Sequence, residues 1–138
     1  MNILTIEGYL KKYGWEFHQS EDDVILTDFM SEDIEAVFLV VIQLASPWLR
    51  LSIPAYLPLQ TDKPCLDLCQ QILKMNYLSR QVYFALGNSN EFILCTDLYV
   101  GSGLVYETFE IALDSLTYVA ETAYTPLMNL IHSVANKI

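Results

Sequence analysis

The chain opens on a helical period. Ile6, Tyr9, Leu10 and Tyr13 fall at i, i+3, i+4 and i+7, and Gly14 follows where a left-handed cap would end the helix. Beyond Gly14 the period shortens: "SEDD", residues 20–23, marks a turn before "VILTDF", and "SEDIE" marks another before "AVFLVVIQL". Two antiparallel strands are predicted there. The next stretch, "SPWLRLSIPAYLPLQ", alternates over its whole length and reads as a third strand. Leu49, Leu51, Ile53, Ala55 and Leu57 would lie on its core face, with Trp48, Arg50, Ser52, Pro54 and Tyr56 on the other. Pro54, which has no N–H to give a neighbour, predicts a sheet edge or a bulge.

A second helical stripe, Cys65, Leu68, Cys69, Ile72 and Leu73, follows a cap at Thr61 or Asp62 with Pro64 in the first turn. "QVYFAL" and "EFILCTDLYV", joined by "GNSN", read as a hairpin. From about Leu104 a long pattern runs through Phe109, Ala112, Leu113, Leu116, Ala120 and Ala123. Pro126 disfavours helix at Thr125 and removes a donor, so a kink or restart is expected. The predicted order is α-β-β-β-α-β-β-α over one domain, residues 1–138. Strands joined by short turns are antiparallel, so the class is α+β, an antiparallel sheet of about five strands with helices packed on it.

One feature of the pattern points past the fold. A sheet wetted on one face should alternate, yet Val37 to Ile42 is apolar at every position. The second face needs a cover, supplied by helices, a second copy of the chain or a bound protein segment. Composition agrees: 53% of residues are hydrophobic and only 17% charged, where about a quarter is usual.

Seventeen acidic and seven basic residues give a net charge of −10. That field opposes nucleic-acid phosphates and anionic membranes, so neither is an expected partner. The start lacks a basic n-region and cleavage site, no apolar run reaches bilayer length, and the three cysteines are not a disulfide framework. A cytoplasmic protein is expected.

Candidate chemistry is sparse. Cys65 and Cys69 sit four apart, but His18 and His132 are distant, so no metal is expected. "GSG", residues 101–103, lacks the third glycine and the lysine of phosphate-binding loops, and Glu107 and Glu110 follow it. Glu107, Glu110, Asp114 and Glu121 read as a solvated helix face, and His18 beside Glu21 and Asp22 as a surface histidine. No catalytic residue, cofactor or enzymatic activity is expected.

The opening "IEGYLKKYGWEF", the pair "VFLVVIQLASPWLRLSIPAY", the helix "LCQQILKMNYL" and the hairpin "VYFALGNSNEFILCTDL" together resemble the YbjN-like proteins and the class I type III secretion chaperones. The sequence also looks like members of an uncharacterised cyanobacterial family of that fold. The resemblance covers essentially the whole chain. It implies a small acidic protein, a homodimer in the chaperones, that holds an extended protein client on apolar surface. The chaperones' central helix contributes to their dimer interface, and here the polar stripe of that helix is short and rich in glutamine.

The expectation is therefore a non-enzymatic, chaperone-like adaptor, a homodimer or the carrier of a protein client, binding through Trp48, Arg50 and Tyr56. The alternative is a small-molecule-binding protein or cryptic enzyme with a pocket between sheet and C-terminal helix near Cys95, Asp97 and Tyr106.

Overall fold

The computed structural model describes residues 1–58 and 66–135. Helix α1 spans Ile3–Tyr13; strands β1 (Phe17–Glu21), β2 (Val24–Ser31), β3 (Ala36–Ala45) and β4 (Trp48–Ile53) follow, then α2 (Leu66–Leu78), β5 (Tyr83–Leu86), β6 (Phe92–Tyr99) and α3 (Tyr106–Ala135). The expected cap at Thr61 or Asp62, Pro64 and Cys65 lie outside the described residues.

The α+β class stands, with one strand more than the pattern suggested. The sheet has six strands in the order β1-β2-β3-β4-β6-β5, every neighbouring pair antiparallel. The additional strand, β1, has no apolar alternation because only Phe17 turns toward the core and the rest is exposed. It is held by pairing with β2, interrupted by a register shift between Gln19 and Glu21.

Helix α1 forms as its stripe requires. Asn2 caps it, Oδ1 accepting from the Thr5 amide at 3.1 Å, and Gly14 ends it at φ 98°, a conformation that costs a side-chain-bearing residue about 1 kcal/mol or more. Ile6 and Leu10 are fully buried. In α3 the buried positions Phe109, Ala112, Leu113, Leu116, Ala120, Ala123 and Leu127 make one stripe. The predicted break at Pro126 does not occur, and the helix runs through it. Thr122, whose carbonyl loses its partner to the proline, and Pro126 are both exposed, so water can take the freed acceptor.

All three helices pack on the same face of the sheet. Their buried residues share one core with Ile25, Phe38, Val40, Ile42, Leu49, Leu51, Ile53, Leu94 and Leu98, the inward positions of four strands. Complete burial of each such side chain contributes about 1.5–3 kcal/mol. Among the described residues no helix is long and apolar enough to cross a membrane, and no three His, Cys, Asp or Glu side chains are grouped to hold a metal.

A candidate protein-docking face on the open side of the sheet

Because the strands alternate, the residues between those core positions form a second face that no helix among the described residues covers. The register places them in rows across the sheet: Met30 beside Val37, Asp28 beside Leu39, then Leu26, Val41, Ser52 and Cys95, then Val24, Gln43, Arg50 and Asp97, then Ala45, Trp48 and Tyr99. Met30 is 63% exposed, Val37 64%, Leu39 48%, Trp48 51% and Tyr99 59%. With each of these side chains offering a surface on the order of 200 Å², the exposed area reaches about 500–600 Å², at the top of the range for the largest apolar patch on a monomer. The uninterrupted apolar run of β3 is thus explained: half of it builds the core and half is open.

One polar cluster sits within this face. Arg50 donates from Nε to Asp97 Oδ1 at 2.8 Å and from Nη2 to Oδ2 at 3.2 Å, while the Tyr83 hydroxyl donates to the same Oδ2 at 2.6 Å. The hydrogen bonds from Arg50, ahead of those from Tyr83, hold the Asp97 carboxyl below its ordinary range against the opposing effect of burial. Cys95 lies buried under this cluster, and burial pushes its thiol upward, the reverse of what a nucleophile needs. Trp48 and Tyr99 meet edge to face at 5.6 Å.

Trp48 and Arg50 therefore lie where the alternation put them, and Tyr56 does not. β4 ends at Ile53, Ala55 adopts a positive φ of 49°, and the reversal of phase turns Tyr56 into the core, 3% exposed. Its hydroxyl donates to the Ala120 carbonyl of α3 at 2.6 Å, and its ring packs on Phe38, Phe84 and Tyr124. Pro54 is not at an edge, since β4 is an interior strand between β3 and β6; it follows the last paired residue, at an irregularity where Pro54 and Ala55 stand against Ile93 alone and the Tyr56 amide then donates to the Phe92 carbonyl at 2.9 Å.

The alternative pocket is not assembled. Cys95 and Asp97 point from β6 to the open face, whereas Tyr106 begins α3 on the other side of the sheet, against Tyr9 and beneath the Lys12 ammonium. Leu73, assigned to the inward stripe of α2, is 64% exposed, and with Leu66 and Tyr77 it makes an apolar row along the solvent side of that helix. These fall at i, i+7 and i+11, on a different surface of the helix from the buried Leu68 and Ile72.

The two ends of the sheet differ. The edge of β5 is closed by Asn76 of α2, whose Oδ1 accepts from the Phe84 amide at 2.7 Å and whose Nδ2 donates to the Phe84 carbonyl at 3.0 Å. The side-chain amide occupies the hydrogen-bonding groups that another strand would take. Nothing in the periodicity of α2 distinguishes Asn76 from an ordinary polar helix position.

Comparison with known proteins agrees with this architecture. A family model, YbjN, described as "Putative bacterial sensory transduction regulator", matches residues 2–127. Among solved structures, that titled "Crystal structure of YbjN, a putative transcription regulator from E. coli" superposes with a TM-score of 0.65 at 18% identity, covering 90% of each chain. A chain of the heterodimeric ExoU–SpcU complex from the type III secretion system of Pseudomonas aeruginosa gives 0.60 at 16% identity, over 88% of this chain and 96% of that one. The Yersinia pestis type III secretion chaperone SycH, in complex with a stable fragment of YscM2, gives 0.53 at 18% identity, over 84% and 93%. No curated protein matches the sequence.

Proposed function

The chain belongs to the YbjN family, and from that premise and the open sheet face we propose that it is a non-enzymatic adaptor that holds a segment of another protein against the row from Met30 and Val37 to Trp48 and Arg50. The observation that carries this reading is the one-sided packing: three helices cover one face, and large apolar side chains stand exposed on the other. Such a patch on a soluble domain marks a contact surface. Tryptophan and arginine are favoured anchors in contacts of this kind, since each buries a large area and keeps a polar handle. Structural neighbours support the reading in kind, because two of them were solved in complexes with protein partners, ExoU–SpcU and SycH with YscM2. Tyr56 has no part in the contact.

The test is site-directed crosslinking in native lysate from Val37, Trp48 and Tyr118, each replaced in turn by a photoreactive residue. Crosslinks to a partner protein are expected from Val37 and Trp48 and not from Tyr118, which is exposed on α3. Val37→Asp should lower partner recovery about tenfold or more, the effect of burying an unpaired charge in an apolar contact. Crosslinks confined to Tyr118, or recovery indifferent to Val37→Asp, would overturn the assignment of this face.

A further inference from the structure

From Gly14 to Leu49 the sequence has eight carboxylates and no lysine or arginine. The fold concentrates them on one half of the sheet: Glu21, Asp22 and Asp23 at the β1–β2 turn, and Glu32, Asp33 and Glu35 around the β2–β3 turn at the opposite end of the strands. The other two stand at the open face. Asp28 projects between Leu26 and Met30, paired in register with Leu39, and Glu16 borders the same hollow of about 290 Å³, which His18, Leu26 and Leu39 complete. A second hollow, of about 390 Å³, is lined by Gln43, Ala45, Trp48, Arg50 and Asp97. No ion pair involves Asp28 or Glu16 among the described residues.

We infer that the segment held on this face is extended and basic as well as apolar, with a lysine or arginine over the hollow at Asp28 and Glu16 and an apolar or aromatic side chain over the hollow at Trp48. This rests on the adaptor reading and adds the chemistry of the partner. Leu26 and Leu39 suit the aliphatic stem of a long cationic side chain, and the two carboxylates suit its head. Asp28 and Trp48 lie two strands apart and, by register, six residues along, about 22 Å, which an extended chain spans in about seven residues. Charge argues against a second copy as the occupant. Its own open face would bring the same acidic half and, among the described residues, one lysine or arginine, Arg50, already tied to Asp97.

The experiment uses three labelled peptides of about twelve residues built on the repeat Leu-Thr-X-Thr, with X as Lys, Ser or Glu, so that leucine and X share one side of an extended chain. Binding to the full chain is followed by fluorescence anisotropy at two salt concentrations, with light scattering of the free protein. The lysine peptide should bind at least about tenfold more tightly than the serine peptide and weaken with salt, and the glutamate peptide should not bind. Asp28→Lys should cost the lysine peptide about tenfold, and the same charge change at Asp67, exposed on α2, less than about twofold. Asp28→Asn is the milder variant should the reversal disturb β2. Equal binding of the lysine and serine peptides, both abolished by Val37→Asp, would overturn the basic character while leaving the adaptor reading intact. Absence of binding by all three from a monomer overturns the inference, and absence of binding from a dimer whose open-face amides are protected overturns both, a second copy being the occupant.

Discussion

Arg50 and Asp97 stand opposite one another on neighbouring strands β4 and β6 and are joined by two parallel hydrogen bonds, at 2.8 and 3.2 Å, on the open face of the sheet. Both are partly exposed, so the pair is worth about 0.5–1 kcal/mol rather than what its geometry would give in a dry site. Its pH dependence has a definite sign. The folded-state value of Asp97 lies below the ordinary 3.8, so the stability it contributes is complete above that value and is lost as pH falls through the lower, folded value. Urea titrations of the wild type and Asp97→Asn should differ at pH 7 and converge in strong acid; a difference that persists at the acid end would show that packing, rather than charge, sets the effect.

The Tyr56 hydroxyl is a buried donor to the last turns of the α3 core stripe. Tyr56→Phe removes the donor and leaves the Ala120 carbonyl without it, an expected loss of about 1–2 kcal/mol in chemical denaturation. The same variant should leave partner recovery unchanged, which separates it from Trp48→Ala. Loss of partner at native stability in Tyr56→Phe would contradict the placement of Tyr56 in the core.

Thr96 is fully buried on the inward face of β6, and its Oγ1 has no hydrogen-bond partner among the described residues. Thr96→Val keeps the shape and removes the orphaned hydroxyl, and should be neutral or raise stability by up to about 1–2 kcal/mol. A clear loss in thermal denaturation would indicate that the hydroxyl is in fact satisfied.

Asn76 closes the β5 edge with a pair of hydrogen bonds to Phe84. Asn76→Leu keeps the helix and strands both backbone groups, with an expected cost of about 1–3 kcal/mol and a gain in self-association through strand pairing at that edge. Sedimentation at several concentrations measures it; a variant as monodisperse as the wild type would mean that the edge needs no guard.

How much of this was legible in the sequence varies by element for physical reasons. Helix α1 and its Gly14 cap, the β2–β3 pair and the β5–β6 hairpin follow directly from period and turn chemistry, because in each the side chains that meet the core are also the ones that set the pattern. β1 was hidden, since its order comes from backbone pairing with β2 and its side chains mostly face water. Tyr56 was misplaced by extending the alternation past Ile53, where Pro54 and the positive φ of Ala55 reverse the phase. Pro126 misled in the other direction, because a proline on the wet side of a helix loses a hydrogen bond that water can replace. Trp48 and Arg50 lie on the outer face of β4 as the alternation requires, whereas the contacts of Arg50 with Asp97 and Tyr83 depend on the β4–β6 register, which the pattern does not carry.

That register has a kinetic consequence. Strands β1 to β4 form a meander of consecutive neighbours, whereas pairing β4 with β6, Ile53 opposite Leu94, closes a loop of about forty residues through α2 and β5. Local pairings form faster than distant ones, so the meander is expected to assemble first and the β4–β6 seam to close later. Pulse-labelled amide exchange during refolding should protect β2 and β3 before β6, and simultaneous protection would argue for a single nucleus spanning the seam. Arg50 and Asp97 lie on opposite sides of that seam. The acidic half of the open face thus belongs to the early unit, the aromatic half is shared between early and late, and the contact surface proposed on that face would be complete only at the last step of folding.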